Sequence, residues 1–115
     1  MRKFFKSFIY GIQGISYALG TQLNFKVHFI AAILVLVLGF FLNIDSREWL
    51  WIVLAISLVL FSELLNTALE VLVDLVSPDY HIKAKIVKDV AAGAVLVTAL
   101  FAIITGLIIF IPRIF

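Results

Sequence analysis

Apolar residues run through this chain in three long blocks, and polar residues gather at the block ends. The first block is FIAAILVLVLGFFLNI, residues 29–44, extended backwards by Phe25 and Val27. The second begins at Trp49 as WLWIVLAISLVLF and continues into SELLNTALEVLVDL, residues 62–75. The third, VAAGAVLVTALFAIITGLIIFI at 90–111, carries no charge. Crossing a ~30 Å hydrocarbon layer takes about 20 helical residues. The third block has that length by itself and the other two reach it with their flanks. The pattern predicts three membrane helices, near 25–44, 49–74 and 85–111.

The segment before them behaves differently. In KFFKSFIYGIQGISYALG, residues 3–20, Phe4, Phe8, Ile12, Ile15 and Leu19 recur at helical spacing, with Lys3, Lys6, Ser7 and Gln13 elsewhere on the wheel. That pattern predicts an amphipathic helix lying in the membrane interface. A signal peptide is the alternative, but no small-residue cleavage pattern follows the apolar run. The loop SPDYH, residues 77–81, ends the second span because Pro78 cannot continue its hydrogen bonding. With no internal repeat, low-complexity segment or linker, 1–115 reads as one all-α integral membrane domain.

Composition agrees with lipid as the solvent. Hydrophobic residues make up 64% of the chain and charged residues 14%, more apolar surface than a water-soluble core of this size could bury. The absence of cysteine excludes disulfides, thiolate metal sites and cysteine nucleophiles. Charge placement then sets the orientation. Arg2, Lys3, Lys6 and Lys26 precede the first span, and Lys83, Lys85 and Lys88 lie between the second and third. Only Arg47 and Arg113 fall on the other side. Seven against two predicts a cytoplasmic N-terminus and 76–89 loop, and an external C-terminus, in the cytoplasmic membrane.

Against this apolar background the second span carries a polar stripe. Relative to Glu63 on a 3.6-residue helix, Asn66, Thr67, Glu70 and Asp74 fall within about 100° of arc. Leu64, Leu65, Leu69, Val71, Leu72 and Val73 take the remaining positions. With Trp49 at the outer interface, Glu70 and Asp74 reach the cytoplasmic boundary and Glu63 lies roughly 10 Å deeper. A charge at that depth costs several kcal/mol, on the order of 3 or more, unless it is paired, neutralised or used. Two carboxylates so far apart suit different tasks. The deep one suits proton abstraction from a lipid headgroup and the shallow one a divalent cation. Structural roles are the alternative: a protonated Glu63 between helices, Asn66 as interhelical glue, and a solvated end at Glu70 and Asp74.

KDVAAGAV, residues 88–95, places Lys88 and Asp89 at the mouth of the third span, followed by small residues that permit close packing. A lysine near acids and a metal suits phosphate. Alone, the pair reads as a positive-inside lysine with a helix-capping aspartate. No phosphate-binding glycine loop, dinucleotide fingerprint, kinase catalytic loop or zinc-protease motif is present. No nucleic-acid partner is expected. His28 and His81 are too few and too distant in sequence to suggest a metal site. A pore-forming or non-catalytic subunit is the competing class. A pore would continue its polar positions to the outer face, whereas residues 49–60 are apolar apart from Ser57.

Two blocks carry a resemblance. ELLNTALEVLVD at 63–74 follows the pattern E-x-x-N-[ST]-A-[IL]-E-x-x-x-D, and KDVAAGAV follows K-D-x-x-[AS]-[AG]-A-V. Together they resemble the prokaryotic diacylglycerol kinase/undecaprenol kinase family over nearly the whole chain. The AAGAV form and the ending GLIIFIPRIF look most like the undecaprenol kinase branch. The resemblance implies a small membrane homotrimer, with sites shared between subunits, that transfers the γ-phosphate of Mg-ATP to a lipid alcohol. Undecaprenol is favoured as acceptor and diacylglycerol is the alternative. It implies Glu63 as catalytic base, Glu70 as a Mg²⁺ ligand, and Lys88, Asp89, Asp79, His81, Tyr10 and Lys3 as nucleotide-contacting positions. Asn66 and Asp74 complete the polar site. One position departs from the pattern. QLNF, residues 22–25, has Gln22 where the family commonly shows a glutamate that is a second metal ligand. Its carbonyl oxygen carries no charge and should hold Mg²⁺ more weakly.

Overall fold

A computed structural model describes all residues, 1–115, as four helices and no strand. They are α1 (Arg2–Thr21), α2 (Leu23–Phe41), α3 (Ser46–Val76) and α4 (Ile82–Ile114). The predicted amphipathic helix and three spans are all present. The last three are each long and apolar enough to cross a membrane. α1 and α2 are separated by a single extended residue, Gln22, at φ −110°, ψ 111°. α1 leaves Phe4, Phe8 and Ile12 exposed and buries only Ala18, near its end, where it meets α2 and α3.

α4 starts earlier than the charge pattern suggested. Its N-cap is His81, whose Nδ1 accepts the Lys83 amide at 3.0 Å. Asp89 therefore lies inside the helix, which removes the capping role the sequence allowed it. α3 stops where Pro78 requires, with Ser77 as its C-cap.

Helix lengths then decide where excess chain goes. At 1.5 Å per residue α2 is roughly 28 Å long, whereas α3 and α4 run to roughly 46 and 50 Å. The ends of α2 and α3 are tied by residues 42–45, and α4 ends beside them. The surplus of α3 and α4 must project at the opposite end, beyond a hydrocarbon core of ~30 Å.

The hairpin end is closely locked. α2 closes with Asn43 in the left-handed region at φ 51°. The amides of Asn43 and Ile44 return to the carbonyls of Phe40 and Gly39, so the last carbonyls of α2 are satisfied. Two residues on, Asp45 caps α3 by accepting the Glu48 amide at 2.9 Å, and Glu48 returns to the Asp45 amide at 3.1 Å. The Glu48 backbone hydrogen bond is the largest influence holding the Asp45 carboxyl below its ordinary value, with Arg113 adding to it. Arg113 reaches back from α4 to Glu48 and to the Leu42 carbonyl. Beneath these contacts Ile44, Ile52, Ile109 and Phe110 form a buried cluster, with Leu38 and Trp49 packed on it.

Gly39 permits this closure. A Cβ there would stand 2.7 Å from Trp49 Cη2 and 3.2 Å from Ile44 Cδ1. Gly39→Ala should therefore destabilise the bundle by about 1–3 kcal/mol through overpacking. Reversible SDS unfolding in mixed micelles would measure this, and an unchanged midpoint would show that the Trp49 ring moves freely.

Candidate functional site

The stripe on α3 is graded in depth. Glu63, Asn66 and Thr67 are buried, Glu70 is half-buried and Asp74 is exposed. Thr67 satisfies itself by donating to the Glu63 carbonyl at 2.9 Å. Neighbouring Ser62 pairs with Thr98 at 2.8 Å, fastening α3 to α4 through hydroxyls. Glu63 is more isolated. Its side chain is 2% exposed, and its one ionic neighbour is His28 of α2, with Nε2 3.3 Å from Oε1. That approach lacks hydrogen-bond alignment, so Oε1 is left without a donor.

Two histidines suggest no metal centre, but the sequence carries another signal for His28. Phe25, His28, Ala32, Val35 and Gly39 make one inward stripe on α2, and a histidine on such a stripe needs a polar partner.

One layer up, Asn66 Nδ2 donates to Glu70 Oε1 at 3.4 Å. Asn66 Oδ1 is buried without a partner. Glu70 lies about 10 Å along the axis from Glu63, consistent with separate roles. It makes no ion pair, so its charge is free for a cation.

The third layer joins α3 to the start of α4. Lys88 Nζ binds Asp74 Oδ1 at 2.7 Å, which draws the lysine to the acidic stripe at its shallowest member. Lys85 binds Asp89 Oδ2 at 2.5 Å, one helical turn apart. Asp74, Asp79, His81, Lys88 and Asp89 all line one open cavity of about 280 Å³, with Lys85 beside them. Five of the residues singled out in the sequence thus share a polar pocket at the projecting ends of α3 and α4.

Glu63, Asn66 and Glu70 lie deeper along α3 and do not line it, and three residues of the N-terminal segment do not join it either. Lys3 and Tyr10 lie on the exposed half of α1 and their side chains make no hydrogen bond. Gln22 sits at the α1–α2 break with its amide 3.5 Å from Thr21 Oγ1. Nowhere in one chain do three acidic or histidine side chains converge on a possible metal position. A Mg²⁺ ion needs only one or two protein carboxylates when phosphate oxygens and water supply the rest. The free charge of Glu70 and the partnerless Asn66 oxygen beside it fit that requirement.

Burying a carboxylate oxygen without a donor weakens a fold, a cost retained where the group is needed for chemistry. Glu63→Leu should therefore raise the unfolding free energy by about 1–3 kcal/mol. Thermal unfolding in detergent would check this, and a loss of stability would make Glu63 a structural residue.

Comparison with known proteins bears on this geometry directly. A family model described as prokaryotic diacylglycerol kinase matches residues 9–110. The chain is 44% identical over 113 residues to a protein named undecaprenol kinase from Bacillus subtilis, covering 98% of this chain and 92% of the relative. It is 44% identical over 107 residues to a diacylglycerol kinase from Synechocystis, covering 92% of this chain and 61% of that longer protein. A diacylglycerol kinase from Escherichia coli K12 is 29% identical over 100 residues, 87% of this chain and 82% of the relative. The family match takes in all three apolar helices, the α3 stripe and the lysine–aspartate pair of α4, and by it this chain belongs to the prokaryotic diacylglycerol kinase family.

Proposed function

We propose that this lipid kinase transfers the γ-phosphate of ATP to the primary alcohol of undecaprenol, with Glu63 as the base. Family membership supports the lipid kinase activity, and the near-full-length similarity to the Bacillus subtilis protein supports this acceptor. The observation that carries the assignment of the base is a single carboxylate, 2% exposed, inside an apolar bundle with His28 as its one ionic neighbour.

In this scheme the lipid hydroxyl approaches Glu63 from the bilayer. Glu63 accepts the hydroxyl proton as the new O–P bond forms and the bond from the γ-phosphorus to the bridging oxygen breaks, leaving ADP. The polar pocket supports a nucleotide site, where Lys88 presents a positive charge to phosphate oxygens and Asp79, His81 and Asp89 line the walls. Glu70, oriented by Asn66, would hold Mg²⁺ with Gln22 as a weaker oxygen donor, and the ion would neutralise phosphate charge. Asp74 keeps Lys88 at the pocket edge until phosphate replaces it.

A homotrimer with sites shared between neighbours accounts for what a single chain leaves open. Only 16 of 115 residues are buried, and Lys3, Tyr10 and Gln22 stay apart from the pocket they would serve. A neighbour's α1 could bring them to it. The lysine and arginine distribution supports cytoplasmic placement of α1 and of the 77–81 turn, with α1 in the interface of the cytoplasmic membrane. A pore finds no support on the stripe's far side, where Ile52, Ala55 and Val59 are the buried α3 positions.

Phosphate transfer from labelled ATP in nanodiscs, with undecaprenol or diacylglycerol supplied separately, tests the assignment. Labelled undecaprenol is expected, and Glu63→Gln should lower kcat by about 10²–10⁴-fold while leaving ATP binding intact. Preferential labelling of diacylglycerol would change the acceptor, and full activity in Glu63→Gln would remove Glu63 as base. Gln22→Glu supplies a further test. It should lower the Mg²⁺ concentration needed for half-maximal activity, and an unchanged requirement would take Gln22 out of the site.

A further inference from the structure

His28 is the one polar residue where α2 packs against the middle of the bundle. It borders a small cavity of about 90 Å³ whose other walls, including Ala31, Ala32, Val59 and Ala102, are apolar. Its side chain is 28% exposed and its single polar neighbour is Glu63 Oε1. The isolation is mutual. Lys85 is committed to Asp89, Lys88 to Asp74 and Arg113 to Glu48, so no other cation lies within ion-pair distance of Glu63.

Geometry gives the contact a purpose. The last torsion of a glutamate side chain is broad, and a carboxylate without donors swings between orientations. A ring N–H placed against one carboxylate oxygen restrains that swing and leaves the other oxygen for a substrate proton. The 3.3 Å approach is long for a hydrogen bond and lacks its alignment in this structure. Contacts of this kind in unliganded active sites tighten when substrate arrives.

We propose that His28 is a positioning residue, holding the Glu63 carboxylate by Oε1 so that its second oxygen meets the lipid hydroxyl. This rests on Glu63 being the base of the kinase reaction. His28 touches neither substrate in this scheme and acts only through the carboxylate. A positioning loss should therefore fall on turnover and spare binding. A misplacement of about 1 Å in such a group costs on the order of 10²-fold in rate.

The test uses full-length protein in nanodiscs with Mg-ATP and undecaprenol. His28→Leu, which keeps the apolar packing of α2, should lower kcat by roughly 10–100-fold with KM for ATP and lipid nearly unchanged. His28→Gln, which retains an N–H donor of similar reach, should recover most of that loss. A second readout does not depend on turnover. In ¹⁵N-histidine-labelled protein, which has only two histidines, the His28 ring nitrogens should shift when Glu63 becomes glutamine while those of His81 stay in place.

Undiminished kcat in His28→Leu would overturn the proposal, as would a loss confined to KM or equal losses in the leucine and glutamine variants. A His28 signal indifferent to Glu63→Gln would do the same. If wild-type protein transfers phosphate to neither lipid, the kinase assignment fails first and the positioning role falls with it. Active wild type with undiminished kcat in His28→Leu rejects the positioning role alone.

Discussion

An ionisable carboxylate in hydrocarbon must be paired, neutralised or used, and the rest of this bundle is arranged around that constraint at Glu63. Apart from Ser57 and the first turn, the polar residues of α3 keep to one stripe, so the rest of its surface is apolar. α2 brings an imidazole to the same depth, while Ser62 and Thr98 satisfy each other across the α3–α4 seam. A residue this costly cannot also be a source of stability. That task passes to the opposite end, where Asn43, the Asp45–Glu48 capping box, the Trp49 ring over Gly39 and the buried isoleucines close the structure.

The bundle therefore has a tight end and an open end, and helix length separates them. α2 is long enough to span the membrane and little more, whereas α3 and α4 continue past it with their charged residues. Three polar layers follow along α3: Glu63 with His28, Glu70 with Asn66, then Asp74 with Lys88. The first is buried in the bundle and the last is exposed. A reaction between a bilayer alcohol and a soluble nucleotide needs such a gradient, because neither reactant can travel far into the other's solvent.

Much of this was legible in the sequence because its physics is local. An uncharged run of 22 residues and two shorter ones specify spans through length and hydropathy alone. The stripe of Glu63, Asn66, Glu70 and Asp74 emerges from helical period, and Pro78 ends α3 where its missing N–H requires. What escaped was pairwise. Nothing in the neighbourhood of His28 in sequence points to a carboxylate 35 residues away, although its inward position could be read from the spacing of Phe25 and Ala32. Asp89 can be read as a helix cap because charge gives way to apolar residues there, although the predicted span already begins near 85. Yet His81 caps the helix two turns earlier, and Lys85 absorbs the aspartate's charge. Lys88 was expected near the acids, but which acid it meets depends on how α4 packs against α3, and residue spacing does not encode that.

Arg113 gives the molecule an order of assembly. Its partners, Glu48 and the Leu42 carbonyl, are synthesised 65 and 71 residues before it, and no charged residue lies between Asp89 and Arg113. The α2–α3 hairpin can enter the bilayer early, but its latch has no keeper until the last helix has threaded through. The guanidinium must be carried to the hairpin's end of the membrane, and the waiting carboxylate makes its arrival hard to reverse. A chain without the end of α4 would leave the hairpin unlatched.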